Sequence, residues 1–243
     1  MNLHNFVELC MCPAPLGNEH AAKQLIRSML PNGLEISEDV AGSAIVRKPG
    51  EKPGLTFFAS LSQPVVLVTG KKADGAWELQ PLGTGKTLEP MNGWKVMDSS
   101  GAQAKLEVKD GELRLTEDKG VQIGSLLTRQ PDWTQDALSV SCAGIEDRVG
   151  CWLLTELLRE MPDIKAEITC IFLAQEQHCT KVAELAMNET DAAVAIRLGS
   201  AKVNDINLTG APVNAGGAKN VLTGAWWACY TTDGALSPAG RNN

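Results

Sequence analysis

Three short polar stretches stand where apolar elements of this sequence begin or end, and their side chains could carry chemistry. Ser60-Leu61-Ser62-Gln63 follows one apolar strand, and Gln175–His178 follows another. Gly144–Arg148 precedes a strongly helical stretch. In open α/β sheets, ligands bind at the carboxyl ends of the strands, and acidic residues at such places suit metal binding or general-base catalysis. The first stretch is unusual, because it offers only hydroxyls and an amide.

The elements around these stretches have the alternating character of an α/β domain. Apolar residues at helical spacing predict helices over Glu19–Leu30 and Val149–Met161. The nearly continuous apolar runs Ala166–Gln175 and Ala192–Gly199 are typical of strands buried on both faces. Further strands and one helix are predicted at Leu34–Ser37, Ser43–Lys48, Leu55–Ser60 and Lys181–Asn188.

The pattern changes between residues 64 and 142, where short strands alternate with turn signals. Asp110-Gly111 between two alternating runs predicts a β-hairpin. Many short strands without helices are typical of a small β-barrel or sandwich. The sequence therefore predicts an α/β domain, residues 1–63 and 143–243, interrupted by an inserted β-barrel domain, residues 64–142. Beyond Gly199 the pattern is weak, with one helix or strand expected around Val221–Tyr230.

Composition narrows the classes of partner. The net charge of −7 argues against nucleic acid or an anionic membrane as the main partner, and no apolar run approaches the roughly 20 residues of a membrane span. The N-terminus lacks the basic start and apolar core of a secretion signal. The seven cysteines are therefore expected to be reduced thiols of a cytoplasmic protein.

Simpler interpretations of the polar stretches stay open. Ser60 and Ser62 can be two small residues at a strand end, and a serine nucleophile would need a histidine base, whereas the three histidines have no partner motif: His4, His20 and His178. Glu146 and Asp147 can be the acidic first turn of a helix.

Other motifs give weaker indications of function. Neighbouring side chains such as His178 and Cys179 do not face each other on a helix, which disfavours a Cys–His dyad. Cys10 and Cys12 could form half of a metal site, but no second such pair exists. Gly83–Lys86 lacks the spacing of a phosphate-binding loop.

Six short motifs, in order along the chain, resemble those of the tetrahedral-aminopeptidase family of two-metal peptidases, which includes glutamyl-aminopeptidases and cellulase-M-like proteins. Gly144–Gly150 is similar to the family's Ala-Leu-Asp-Asp-Arg-x-Gly, and Ile171–His178 resembles Phe-x-x-Gln-Glu-Glu-Val-Gly. The other four lie at Pro13–Glu19, Asp39–Gly50, Ala73–Lys86 and Asp191–Gly199. The resemblance implies a zinc-peptidase-like α/β domain with an inserted small β-barrel, in a degenerate and C-terminally shortened member.

In the earlier motifs, positions that bind or support the metals in the family are occupied here by other residue types. The family's first histidine ligand falls on Ser60, its supporting aspartate on Ser62 and the next acid on Gln63. The aspartate that bridges the two metals falls on Glu146, and the Asp147-Arg148 pair that follows it is retained.

The later motifs depart further from the family's pattern of metal ligands. The general-base glutamate is retained as Glu176, but the next glutamate, a metal ligand, is Gln177, and a later aspartate ligand is Arg197. No histidine follows His178, so the last histidine ligand has no counterpart. Since a catalytic zinc ion needs about three His, Asp, Glu or Cys ligands and arginine stays positively charged, we expect no metal cofactor, with zinc, cobalt or manganese as the alternative.

These replacements lead to two expectations. Arg197 should pair with Glu146 or Glu176, because carboxylates buried at this site need a counter-charge. The chain should be a non-catalytic relative of metallo-aminopeptidases, with Glu176 a vestigial general base. It would act by binding a peptide or partner, or by forming a homo-oligomer or an assembly with a paralogous aminopeptidase. The alternative is a hydrolase that holds one metal weakly at Glu146 and Glu176, or uses Ser60 or Ser62.

Overall fold

A computed structural model describes residues 3–83, 88, 91–136, 139–160, 164–179 and 181–198, together with the backbone of two short strands near the C-terminus. The described helices are α1 (Leu3–Met11), α2 (His20–Met29), α3 (Ile145–Arg159) and α4 (Lys181–Met187). The strands of the first half are β1 (Glu35–Glu38), β2 (Ala44–Lys48), β3 (Glu51–Ser60), β4 (Val65–Lys71), β5 (Trp77–Leu82), β6 (Lys95–Met97), β7 (Gln103–Lys109) and β8 (Glu112–Lys119). Those that follow are β9 (Leu126–Arg129), β10 (Thr134–Gln135), β11 (Val140–Ser141), β12 (Ala166–Leu173), β13 (Ala192–Leu198), β14 (Cys229–Tyr230) and β15 (Leu236–Ser237).

The larger sheet has seven strands in the order β1-β2-β12-β3-β13-β14-β15. Its centre is parallel, because β3 pairs with β12 on one side and with β13 on the other, both in the same direction. The apolar runs of β12 and β13 predict burial on both faces, and Ile168–Leu173 of β12 is entirely buried. For β13 the prediction of burial is wrong, because its residues are half-buried or exposed, with Val194 41% exposed.

Helices cover both faces of this sheet. On one face, α1, α2 and α3 pack against it in a core that includes Leu9, Ile26, Leu154 and Phe172. On the other face, Ala186 of α4 packs with a smaller cluster that includes Ile45, Phe58, Ile171 and Leu173. This three-layer arrangement leaves the carboxyl ends of the parallel strands at the edge of the domain.

The second sheet has six antiparallel strands in the order β5-β4-β9-β6-β7-β8, all between residues 65 and 129. Its two outer strands approach each other, because the Trp77 indole on β5 donates to Asp118 on β8 at 3.1 Å. The Lys72 ammonium, in the turn before β5, lies 3.0 Å from Glu112 of β8. The sheet therefore curls into a nearly closed barrel around an apolar core of its own. The predicted fold class, α/β with a small β-barrel between its segments, is confirmed.

The Asp110-Gly111 hairpin is also confirmed. It joins β7 to β8, with Lys109 opposite Glu112. Both turn residues have positive φ, 55° and 77°, the conformation that selects Asp-Gly in two-residue hairpins.

Two helices differ from the sequence expectation. Helix α3 begins at Ile145 instead of Val149, because its polar first turn contains no apolar spacing to detect. It ends at Arg159. Helix α1 is not predicted at all. The element expected around Val221–Tyr230 lies outside the described residues except for β14. Nor does any helix in the described ranges have the length and apolar character that crossing a membrane requires.

Gly150 sets the distance between α3 and the sheet. A Cβ at this position would lie 2.8 Å from the Leu198 carbonyl oxygen and 2.9 Å from the Ala59 Cβ. In an exposed helix, alanine is more favourable than glycine by about 1 kcal/mol. Here we expect the opposite sign, because backbone and a packed methyl group cannot yield cheaply.

The prediction is that Gly150→Ala lowers the free energy of unfolding by about 1–3 kcal/mol, measured by urea denaturation. The matched control is the pair Gln24→Gly and Gln24→Ala on the exposed face of α2. There the step from glycine to alanine should stabilise the protein by about 1 kcal/mol. Stabilisation at both positions would contradict the close helix–sheet contact.

Candidate functional site

The candidate site lies where the three parallel strands end. Ser60, the last residue of β3, is opposite Leu173 of β12, and Ala59 is opposite Leu198 of β13. Helix α3 joins this edge from one face, with the Cys151 thiol donating to the Ser60 carbonyl oxygen at 3.2 Å. The register thus collects the polar stretches that the sequence places at strand ends and at the start of α3.

An ion pair dominates this edge. Glu176 lies in the turn after β12 and is 8% exposed, and Arg197 lies on β13 opposite Phe58. The Arg197 Nη2 atom is 2.6 Å from the Glu176 Oε1 atom. The expected pairing of Arg197 with a nearby glutamate is confirmed, with Glu176 as its partner.

Asp147 lies in the first turn of α3. Burial raises the pKa of its carboxyl group to about 7, and the Glu146 and Glu176 carboxylates act in the same direction. Arg148 and Arg197 oppose this rise. The Gln177 Nε2 atom donates to both Asp147 oxygens, at 3.3 and 3.2 Å, so Asp147 has an amide for a partner instead of a cation.

The stretch after β3 is occupied by local contacts. The Ser62 hydroxyl donates to the Glu19 Oε1 atom at 2.7 Å. The Gln63 side-chain oxygen accepts from the Ala14 amide at 3.0 Å. The Ser60 hydroxyl is buried and has no hydrogen-bond partner among the described residues. Neither serine is placed as an activated nucleophile, since no histidine base contacts them in the described part of the chain.

Arg148 and Glu146 differ in their surroundings. Arg148 is fully buried, and its guanidinium donates to the carbonyl oxygens of Leu61 at 2.7 Å and Cys12 at 3.1 Å. It therefore ties α3 to the loop after β3 and to the end of α1. Glu146, on the first turn of α3, is exposed.

Glu19 belongs to this site but is not among the residues that the motifs single out. Glu19 is buried, and its Oε1 atom accepts from the backbone N–H groups of Gly17 at 3.0 Å and Gln175 at 3.1 Å, and from the Ser62 hydroxyl. It thus holds three loops of the edge together. The one sequence signal is its position at the end of the Pro13–Glu19 resemblance.

The side chains at this edge form two polar pairs, Glu176 with Arg197 and Asp147 with Gln177. Glu176, Arg197, Asp147 and Gln177 come together, while Ser62 and Gln63 face inward to other partners. Among the residues that the structure describes, no group of three or more His, Cys, Asp or Glu side chains is arranged to hold a metal ion.

Comparison with known proteins is informative only at the level of structure. Neither a family model nor a curated protein matches the sequence. An aminopeptidase from the archaeon Desulfurococcus kamchatkensis superposes with a TM-score of 0.72 at 16% identity, over 83% of this chain and 63% of that one. A TET aminopeptidase from a marine-sediment thaumarchaeote gives 0.74 at 15% identity, over 86% and 68%.

A TET peptidase of Pyrococcus horikoshii that can assemble into a tetrahedron or a large octahedral shell gives a TM-score of 0.71 at 17% identity, over 84% of this chain and 70% of that one. This chain has the fold of the tetrahedral aminopeptidases. The resemblance inferred from the motifs is confirmed at that level. The chain spans less than two thirds of the length of the Desulfurococcus enzyme.

The raised pKa of Asp147 predicts a pH-dependent stability. In the unfolded chain this carboxyl group returns towards its ordinary pKa of 3.8. The native state therefore binds more protons, and the stabilising contribution is complete below pH 4 and lost as the pH rises through about 7. Asp147→Asn removes this loss.

We expect the free energy of unfolding of Asp147→Asn, relative to the unmodified protein, to increase by about 2 kcal/mol between pH 5 and pH 8. Urea denaturation at the two pH values measures it. Asp110→Asn, in the exposed hairpin turn, is the matched control and should alter stability equally at both. A constant difference for Asp147→Asn would contradict the buried, carboxylate-facing environment of Asp147.

Proposed function

We propose that this chain is a non-catalytic relative of metallo-aminopeptidases, which acts by binding a peptide or partner protein, or by assembling with copies of itself or a paralogue. The observation that carries the proposal is the Arg197–Glu176 ion pair. It lies at the strand edge where the motif resemblance places two metal ions. A permanently charged guanidinium there repels a divalent ion.

The donor set supports the same conclusion. The Gln177 amide nitrogen donates to Asp147, so this side chain acts as a hydrogen-bond donor where the family has a carboxylate ligand. Ser62, at the position of the supporting aspartate, is engaged by Glu19. Ser60 offers only a neutral hydroxyl in place of an imidazole. These residues do not fit a pair of catalytic metal ions.

The rival function is that of a hydrolase with a reduced metal site. Asp147 is present at the edge, and the Glu146 and Glu176 carboxylates lie near it, since both raise the pKa of Asp147. For these groups to hold an ion, Glu176 would have to give up Arg197. We favour the non-catalytic function because the 2.6 Å pair already neutralises Glu176.

Metal binding and turnover separate the two functions. We expect the purified protein to bind no stoichiometric zinc, cobalt or manganese at this edge in calorimetric titration. It should also show no hydrolysis of aminoacyl-anilides or peptides above that of Glu176→Gln. Stoichiometric metal, with turnover that disappears in Glu176→Gln, would establish the hydrolase instead.

A matched variant sharpens this result. Gln177→Glu combined with Arg197→Asp replaces the amide and the guanidinium by carboxylates on the same scaffold. Zinc should raise the melting temperature of this variant and leave that of the unmodified protein unchanged. An equal increase in both would show that Arg197 does not exclude the ion.

The binding half of the proposal has its own test. The similar Pyrococcus peptidase assembles into closed shells, and an assembly role for this chain predicts species larger than a monomer. Sedimentation of the purified protein, alone and mixed with an active aminopeptidase of the same fold, should detect such species. Calorimetry with a panel of short peptides tests the other mode of binding. A monomer that binds neither contradicts the proposed function.

A further inference from the structure

Two buried thiols outside the candidate site contact each other. Cys10, on α1, is fully buried, and Cys142, between β11 and α3, is 7% exposed. The Cys142 thiol lies 3.6 Å from the Cys10 carbonyl oxygen and donates to it. The two residues are 132 positions apart in sequence, so the fold alone brings them together.

The surroundings of the pair are apolar and aromatic. Phe6 stacks on Trp152 with ring centroids 4.8 Å apart and meets Trp133 edge-on at 5.6 Å. Both cysteines pack in this cluster. A disulfide needs the two Cα atoms within about 7 Å, and the 3.6 Å contact of the Cys142 thiol with the Cys10 carbonyl oxygen brings the two backbones close together.

We propose that Cys10 and Cys142 form a thiol-oxidation site that closes to a disulfide when the protein meets a peroxide. The inference is independent of the proposed function. It gives the chain an oxidation-dependent link between α1 and the segment that leads into α3.

The reaction balances with hydrogen peroxide as the oxidant. The sulfur of Cys142, the more accessible of the two, attacks one peroxide oxygen and becomes a sulfenic acid, and the O–O bond breaks with release of water. The Cys10 sulfur then attacks the sulfenic sulfur, a sulfur–sulfur bond forms, and the hydroxyl leaves as a second water. In total, two thiols lose two hydrogen atoms and one peroxide becomes two water molecules.

Burial lowers the rate of the reaction. Burial and, secondarily, the neighbouring Cys142 thiol raise the pKa of Cys10 to about 12. The thiolate is the reactive form, so closure should be slow at neutral pH and faster as the pH rises. A small, neutral oxidant suits such a pocket better than a bulky disulfide.

The link would act next to the candidate site. Cys142 precedes by two residues Gly144, where α3 is capped, and the carbonyl oxygen of Cys12 accepts from buried Arg148. A bond between Cys10 and Cys142 therefore fixes α1 against the start of α3. Because it closes a loop of more than a hundred residues, it should restrict the unfolded chain strongly.

The experiment treats the full chain with hydrogen peroxide, blocks remaining thiols in denaturant, and maps the disulfides by peptide mass spectrometry. We expect a peptide linking Cys10 to Cys142 and a melting temperature raised by about 5–10 °C, both reversed by dithiothreitol. Exposed Cys179 reports that the oxidant is active.

Two variants complete the design. Cys142→Ala should lose both the linked peptide and the temperature shift, whereas Cys170→Ala, which removes another buried thiol, should keep them. The mapping on the unmodified chain does not depend on either variant folding well. If Cys10 and Cys142 both remain free while Cys179 is oxidised, or if the linked peptides join other cysteines, the proposal is wrong.

Discussion

The carboxyl edge of the central sheet depends on the pairing of one buried carboxylate, Glu176, with one guanidinium, that of Arg197. A carboxylate almost removed from water is unfavourable unless a cation and hydrogen bonds replace its hydration. Arg197 provides that cation from a neighbouring strand, in register with β3. Asp147 pairs with the Gln177 amide instead, and burial, together with the Glu146 and Glu176 carboxylates, raises its pKa. Arg197 thus balances the charge of Glu176, while Asp147 responds to both arginines and both neighbouring glutamates.

Around this pair, polar side chains hold the edge together. Arg148 donates to two carbonyl oxygens, Glu19 accepts from three donors, and Cys151 reaches the end of β3. The absence of a side chain at Gly150 lets α3 approach closely enough for these contacts. These contacts join α3, the end of α1, the loop after β3 and the loop before α2 through protein groups alone.

Sequence patterns predict the parts of this molecule that depend on local periodicity. The strands β12 and β13 are both predicted from their apolar runs, although only β12 is buried. The turn between β7 and β8 is predicted from its Asp110-Gly111 sequence, and its two residues have the expected positive φ. Helix α1 is not identified, although its buried Phe6, Leu9 and Cys10 have helical spacing. The role of Glu19 is not predicted from the sequence, because its partners Ser62 and Gln175 meet it only in the fold. The pairing of Arg197 follows from charge balance, but the choice of Glu176 over Glu146 needs the strand register.

The β-barrel also contacts this edge of the central sheet. Gly83, just after β5, lies so close to Gln177 that a Cβ there would be 2.8 Å from the Gln177 Cβ. Gln177 in turn holds the Asp147 carboxyl group. The position of the barrel therefore limits where the Gln177 amide can lie, and through it the surroundings of Asp147. Any ligand that this edge accepts must fit among charges set by Arg197 and an amide held against the barrel, and neither group is a metal ligand of the usual kind.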